Sequence, residues 1–286
     1  MGKKIELLAG HWTLAGECYP MGPTEVSPFS LRDRAEAAAA AGYTGMGLVH
    51  DDLMANVARM GLSGIKQVLA DNGIVHVELE FVGDWFETGE KKAASDRVKG
   101  HLLEAAATLG ARDVKIAPEM WTDVIDIPKV TAAFAHICQD AKAVGTTIAM
   151  EMLPMTNVRT LKVATEIVRN AGQDNGGLCI DIWHVVRGGQ SFDDVRRLPV
   201  NFLKSVELND ANAGMVGTQW NDTLHHRVLC GEGVFDVRNF IEVIQATGFR
   251  GVYGVEILSE AHRRLPLREQ AKRSFDSTMA QFQTAR

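Results

Sequence analysis

Short apolar runs that end on a carboxylate recur through the second half of this chain, and they constrain its fold more than any other feature. The run 178–180 ends on Asp181, and comparable runs end on Glu151, Glu207 and Glu256. An uninterrupted apolar run of this length is typical of a strand that is buried on both faces of a parallel sheet. Stretches with helical spacing separate the runs, so the sequence predicts alternating strands and helices.

The same pattern extends over the whole chain. Strands are predicted over 5–9, 45–49, 75–80, 113–117, 147–151, 178–181, 203–208 and 252–257. Helices are predicted over 32–41, 63–72, 91–109, 130–144, 159–171, 192–197 and 237–247, and from 267 onward. Ser30 and Asp236 are suited to cap two of these helices at their amino ends, and Gly42 and Gly248 to end them.

Eight strand and helix units predict an α/β fold. Strands that alternate with helices pair in parallel through right-handed crossovers. Eight such units favour one closed (β/α)8 or TIM barrel, which typically uses roughly 250 residues. We therefore expect residues 1–286 to form a single barrel domain. The alternative is an open doubly wound sheet, and the GxGxxG motif typical of that fold does not follow the first strand.

Charge and composition limit the classes of partner that the protein is expected to bind. The net charge is −6, and the 30 basic residues form no polybasic block, which argues against nucleic acid and anionic membranes. No apolar run reaches the roughly 18 residues of a membrane span, and the apolar part of the amino terminus is short for a signal peptide. The cysteines Cys18, Cys138, Cys179 and Cys230 show no CxxC spacing. We expect reduced, buried thiols and a cytoplasmic protein.

The acids at the strand ends predict a metal site. Catalytic groups of a barrel lie at the carboxyl ends of its strands, so Glu151, Asp181, Glu207 and Glu256 would converge. Two bare carboxylates about 4 Å apart repel by roughly 4 kcal/mol at an effective dielectric of 20. A divalent cation removes that repulsion. All-oxygen ligation favours Mn²⁺ or Mg²⁺ over Zn²⁺, which more often recruits His or Cys.

Other residues near strand ends are candidates for substrate binding. Glu80 ends the third strand, His11 follows the first, and Trp85 lies in the loop after Glu80. Tryptophan rings supply apolar walls on which sugar faces stack, and Trp12, Trp183 and Trp220 share that position, although core packing explains Trp183 equally well. An ordinary structural role, as a loop residue or an ion-pair partner, is the alternative for each of these residues.

Five segments carry a family resemblance. They are EMLP at Glu151, DIWH at Asp181, VELND at Glu207, HHRVLCGEGVFD from His225 and YGVEI at Glu256. In order and spacing the chain resembles the sugar-phosphate isomerase/epimerase group with a xylose-isomerase-like TIM barrel. This group includes ketose 3-epimerases, hydroxypyruvate isomerases, inosose dehydratases and zinc endonucleases that act at abasic DNA sites.

The resemblance implies roles for individual residues. It places metal ligands at Glu151, Asp181 and Glu256, and an acid/base pair at Glu151 and Glu256. It places substrate-binding groups at His184 and Arg227. Two departures stand out: the epimerases usually have His at the position of Glu207, and a Pro is common at the position of Cys230.

The resemblance implies a metal-dependent sugar isomerase or epimerase that acts on a ketose or keto-sugar through an enediolate. The main alternative is a metal-dependent lyase. This lyase would be a dehydratase of keto-inositols, or an enzyme that cleaves C-glycosidic bonds of 3-oxo-glycosides with a small partner subunit. The long loop 10–28 and the departure at Glu207 keep the lyase alternative open. A DNA-repair endonuclease would need a His-rich zinc cluster and a basic groove. A non-catalytic scaffold would not need the intact acid set. Relatives are often dimers or tetramers, so a homo-oligomer is expected.

Overall fold

A closed barrel of eight parallel strands forms the centre of the protein in the computed structural model, which describes residues 4–283. The strands in chain order are β1 (Leu7–Ala9), β2 (Gly45–Val49), β3 (His76–Val82), β4 (Asp113–Ile116), β5 (Thr147–Glu151), β6 (Gly176–Asp181), β7 (Leu203–Leu208), β8 (Asp210–Ala211), β9 (Arg227–Val228) and β10 (Tyr253–Val255). The barrel order is β1-β10-β7-β6-β5-β4-β3-β2, which confirms the predicted TIM barrel. The two-residue strands β8 and β9 pair separately, as an antiparallel ribbon.

Helices connect the strands. They are α1 (Leu31–Ala41), α2 (His50–Asp71), α3 (Gly89–Leu109), α4 (Ile127–Ala143), α5 (Leu161–Ala171), α6 (Ile182–Arg187), α7 (Phe192–Arg196), α8 (Gln219–His225), α9 (Val237–Ala246), α10 (Glu260–Arg263) and α11 (Leu267–Gln281). Within residues 4–283, none has both the length and the apolar character needed to cross a bilayer.

The predicted helix ends follow from capping chemistry. The side chain of Ser30 accepts a hydrogen bond from the backbone N–H of Asp33, and that of Asp236 accepts one from Asn239. Gly42 follows α1 with a φ of 114°, a left-handed conformation that favours glycine. These local hydrogen bonds require only neighbouring residues, which explains why the sequence alone predicts them.

The structure differs from the predicted pattern where elements are short. The helix predicted over 63–72 extends back to His50, and Gly61 interrupts its helical geometry with a φ of 68°. The helices α6, α8 and α10 were not predicted, because four to seven residues hold too little periodicity to recognise.

Charged side chains occupy the inside of the barrel, where branched apolar residues are usual. Glu78 and Glu80 on β3 face Lys115 on β4 and Glu207 on β7, and all four are buried. Small residues make room for them: a Cβ added at Gly254 would lie 3.0 Å from Cγ of Glu207. The apolar core lies instead between the barrel and the surrounding helices.

Candidate functional site

A pocket of about 670 Å³ opens at the carboxyl ends of the barrel strands. Its polar lining residues are Glu80, Glu151, His184, Thr223, Arg227 and Glu256. The position at the carboxyl ends of the strands is where TIM-barrel enzymes carry their active sites. The pocket is therefore the candidate active site.

Four predicted metal ligands meet beside this pocket. One carboxylate oxygen from each of Glu151, Asp181, Glu207 and Glu256 lies within 4.8 Å of the others. The strands β5, β6 and β7 are adjacent, and the pairing of Asp181 with Glu207 places both side chains on one face. Glu256 follows β10, the next strand around the barrel. Parallel register therefore brings together acids that are far apart in the sequence.

Asp181 is held by donors on every side. The backbone N–H of Trp183 donates to Oδ1 at 2.6 Å, and Asn209 Nδ2 lies 3.0 and 3.1 Å from the two oxygens. Arg227 donates to Oδ2 at 2.7 Å. Burial would raise the pKa of Asp181, but the charges of Arg227 and His184 together with the hydrogen bonds from Asn209 and Arg227 outweigh burial and lower the pKa. The carboxylate thus stays ionised and fixed in orientation.

Glu151 pairs with His184. The imidazole Nε2 lies 3.2 Å from Oε1 of Glu151, and helix α6, which Asp181 caps, carries His184 to this position. Burial raises the pKa of Glu151, whereas its hydrogen bond and charge interaction with His184 lower it further than burial raises it. The resemblance implied a substrate-binding role for His184, and the structure places it in the pocket wall beside a predicted base.

Arg227 joins two of the acids. Its Nη1 donates to Asp181 at 2.7 Å and to Glu256 at 3.0 Å, and its Nη2 donates to the hydroxyl of Thr223 at 2.8 Å. The β8–β9 ribbon positions it, because Arg227 is paired with Ala211. The guanidinium is buried, and these carboxylates raise its pKa despite burial. Arg227 therefore remains a fixed cation at the floor of the pocket.

Lys115 is a site residue that the sequence analysis missed. Its side chain is only 1% exposed, and its Nζ lies 2.7 Å from Glu207, 2.9 Å from Glu80, 3.4 Å from Glu78 and 3.6 Å from Glu256. Burial lowers the pKa of a lysine, but the surrounding carboxylates raise that of Lys115 well above its usual value. The sequence does carry a signal for this residue: a lysine lies inside a short strand whose neighbouring residues, Val114 and Ile116, are suited to burial.

The charges of the cluster leave room for a divalent cation. Six buried or partly buried carboxylates surround two permanent cations, Lys115 and Arg227. The six are Glu78, Glu80, Glu151, Asp181, Glu207 and Glu256. Burial raises the pKa of Glu207 and of Glu256, and a divalent ion bound among the acids would favour their ionised, ligating form. The four converging oxygens fit a hard cation, and a second set of Glu151, Asp181 and His184 adds a nitrogen ligand of the kind that Zn²⁺ accepts.

The remaining predicted substrate-binding residues divide into two groups. Glu80 lies in the pocket wall, and burial raises its pKa to about 8 although Lys115 opposes that shift. Trp85 does not line the pocket, because its indole donates to the carbonyl of Ala117 at 2.8 Å and packs against Phe86. Trp12 and Trp220 line the pocket instead.

His11 also lies away from the pocket lining. It is 1% exposed, and its Nδ1 lies 3.3 Å from the guanidinium of Arg34, which is paired with Asp52. Burial, followed by the charge of Arg34, lowers the pKa of His11 to about 3. A neutral histidine in a buried ion-pair network supports the loop after β1, so a direct contact with substrate does not follow from this geometry.

The chain is similar in sequence to two kinds of known enzyme. The chain is 24% identical over 246 residues to a 3-dehydroshikimate dehydratase from Pseudomonas aeruginosa, covering 85% of this chain but only 38% of that protein. It is 24% identical over 207 residues to an inosose isomerase from Halalkalibacterium halodurans, covering 70% of this chain and 72% of the relative. The chain therefore spans well under half the length of the dehydratase.

A solved structure shares the fold at low sequence identity. The IOLI protein with a binding zinc atom matches with a TM-score of 0.82 and 19% identity, over 97% of this chain and 98% of that one. A family model described as the xylose isomerase-like TIM barrel matches residues 35–279. This match covers most of the chain, including every barrel strand after the first. The chain belongs to the xylose isomerase-like TIM barrel family.

Proposed function

We propose that the protein is a divalent-metal-dependent isomerase or epimerase of a ketose or keto-sugar. The observation that carries this proposal is the convergence of Glu151, Asp181, Glu207 and Glu256 within 4.8 Å, next to a pocket lined by two of them. The family and the similarity to an inosose isomerase support the same class of reaction.

These four carboxylates would hold the ion. When bound, a divalent cation polarises a substrate carbonyl and stabilises negative charge that develops on its oxygen. The all-oxygen set favours Mn²⁺ or Mg²⁺, whereas the set with His184 also accepts Zn²⁺. We propose Mn²⁺ or Mg²⁺, since more of the converging ligand atoms are carboxylate oxygens.

Glu151 and Glu256 would move the proton. Both line the pocket, and they come from β5 and the end of β10, which are separated by two strands around the barrel. One carboxylate removes a proton from the carbon next to the carbonyl, and the other returns one. Return to the opposite face of the same carbon gives epimerisation, and return to the neighbouring carbon gives isomerisation. Arg227 and His184 would orient the substrate oxygens beside them.

A lyase of the same fold is the second candidate, and Glu80 favours it. This third acid lies in the pocket wall, its Oε1 has no hydrogen-bond partner within the described residues, and its pKa is raised to about 8. A carboxyl group that is protonated at neutral pH can protonate a leaving group, which dehydration and glycoside cleavage require. The similarity to a 3-dehydroshikimate dehydratase points in the same direction.

Deuterium exchange separates the two candidates. Purified protein with Mn²⁺ is incubated in deuterated water with a panel of ketoses, keto-inositols and 3-oxo-glycosides. An isomerase or epimerase incorporates deuterium next to the carbonyl and keeps the carbon skeleton, whereas a lyase releases water or an aglycone. Glu151→Gln and Glu256→Gln should each abolish turnover, and Glu242→Gln, an exposed residue of α9, serves as control. Near-normal rates in either pocket variant would contradict the acid/base assignment.

Further expectations stay predictions. They are a cytoplasmic location, a small-molecule sugar or glycoside as substrate, a single domain over 1–286, a homo-oligomer, and a small partner subunit if the protein is a lyase.

A further inference from the structure

The walls of the pocket are far more apolar than its floor. Ten of the sixteen residues that line it have apolar side chains. Six of these apolar residues are Trp12, Met120, Leu153, Trp220, Leu224 and Leu258. They come from loops that follow different strands, so the apolar surface encircles the pocket. A free sugar carries hydroxyls on all sides, and each hydroxyl buried against carbon without a hydrogen bond lowers affinity.

Few polar groups in the walls are free to bind hydroxyls. Arg227 is engaged by Asp181, Glu256 and Thr223. His184 is paired with Glu151, and Glu80 is paired with Lys115. All six polar side chains of the lining therefore belong to the cluster around Lys115, Arg227 and the acids at the floor. The polar part of a ligand therefore belongs there.

The apolar surface continues outward at the mouth of the pocket. Trp121 is 57% exposed and packs edge-to-face on Trp220, with ring centroids 5.3 Å apart. Met21 is 69% exposed and Phe81 is 38% exposed, and both line the pocket. Exposed apolar surface that is continuous with a pocket marks a binding site. We call Met21, Phe81, Trp121 and Trp220 the apolar rim.

We propose that the substrate has two parts: a polar oxo-sugar that binds at the carboxylate floor and an aromatic substituent that packs against the apolar rim. The inference rests on the proposed function, because it assigns the sugar to the carboxylates. The occupant of the rim belongs to the same molecule as the sugar, since three of the four rim residues line the same pocket as Glu151 and Glu256. Aromatic rings favour edge-to-face contacts with tryptophan.

Binding of two matched probes tests this proposal without turnover. Phenyl β-D-glucopyranoside and methyl β-D-glucopyranoside differ only in the group at the anomeric oxygen, and neither has an oxo group. Titration calorimetry of the Mn²⁺-loaded protein should show that the phenyl probe binds at least about tenfold more tightly than the methyl probe. Trp121→Ala and Trp220→Ala should each reduce this preference to less than about threefold.

A control substitution far from the pocket tests whether the preference for the phenyl probe depends on the apolar rim. Val75 is 66% exposed and precedes β3, at the opposite end of the barrel, so Val75→Ala should keep the full preference. Equal affinities for the two probes, no measurable binding of the phenyl probe, or an unchanged preference in both tryptophan variants would each overturn the proposal. A change of oligomeric state in Trp121→Ala that accompanies equal probe affinities would assign the rim to a subunit interface instead.

The binding test and the reaction test can fail separately, so their results distinguish the two-part substrate from the proposed reaction. Deuterium exchange or fragment release without a phenyl preference would contradict only the two-part substrate. A phenyl preference that depends on Trp121 and Trp220, without any turnover on the substrate panel, would support the rim and contradict the proposed reaction.

Discussion

Lys115 stabilises the acids of the barrel from inside. Its ammonium group lies within 3.6 Å of carboxylates from three other strands or their ends, in a place that water does not reach. A buried ion pair is not in itself strongly stabilising, but removal of one partner leaves the other charges uncompensated. The residue is therefore the internal counterion of the acids that face the inside of the barrel.

Replacement of this lysine tests that role. Lys115→Met keeps an unbranched apolar side chain close in length to the lysine stem and removes the charge. It should lower the free energy of unfolding by about 3–5 kcal/mol, measured by urea denaturation at neutral pH. Lys142→Met removes a cation from an exposed pair with Asp174 and should cost less than about 1 kcal/mol. Equal losses in the two variants would show that Lys115 is not a structural counterion.

The pH dependence of this loss has a defined sign. Burial already raises the pKa of Glu80 from 4.5 to about 8, and Lys115 opposes that shift. Without Lys115 the folded protein holds carboxyl protons that the unfolded chain releases above about pH 4.5. A pKa that is raised in the folded state contributes stability at low pH that is lost as the pH rises. Removal of Lys115 raises the pKa of Glu80 beyond about 8, so the deficit of Lys115→Met should grow as the pH rises above about 8, where Glu80 ionises in the natural protein but stays protonated in the variant.

At the scale of elements, Asp210 ties a loop to the barrel. Its carboxylate accepts hydrogen bonds from the backbone N–H groups of Gly231 and Gly233 at 3.0 Å and of Phe235 at 2.8 Å. Asp210 belongs to β8, which pairs with β9 and thereby positions Arg227 at the pocket floor. The segment HHRVLCGEGVFD thus folds around one buried acid.

Asp210→Ala should loosen this segment. The three N–H groups lose a charged acceptor, so we expect a loss of about 3 kcal/mol in the free energy of unfolding and faster amide hydrogen exchange over 229–235. Asp236→Ala removes an exposed helix cap a few residues away and should cost about 1 kcal/mol. Unchanged exchange over 229–235 would show that the acid does not hold the loop.

At the scale of the whole molecule, the convergence of acids makes stability depend on the ion. A ligand that binds only the folded state stabilises it by about 2.7 kcal/mol at a free concentration of 100 times Kd. Mn²⁺ should therefore raise the melting temperature of chelator-treated protein, measured by calorimetry. The double variant Glu151→Gln/Asp181→Asn should show no such rise, and an equal rise in that variant would argue against the proposed ligands.

The amino-acid sequence by itself determined the strand and helix pattern, the helix caps at Ser30 and Asp236, and the position of acids at strand ends. These features depend on residues close together in the chain, and parallel closure of eight repeated units then constrains the fold. The sequence could therefore predict a barrel with four acids at one end.

Only the tertiary structure decided how those acids are compensated and what surrounds them. Lys115 contacts Glu207 across 92 positions of sequence, and no local pattern encodes that distance of 2.7 Å. Trp85 and His11 follow strand ends as Trp12 does, yet they turn into the protein. Side-chain direction in a loop is set by packing against distant elements, which explains why strand-end position alone could not separate pocket residues from buried ones.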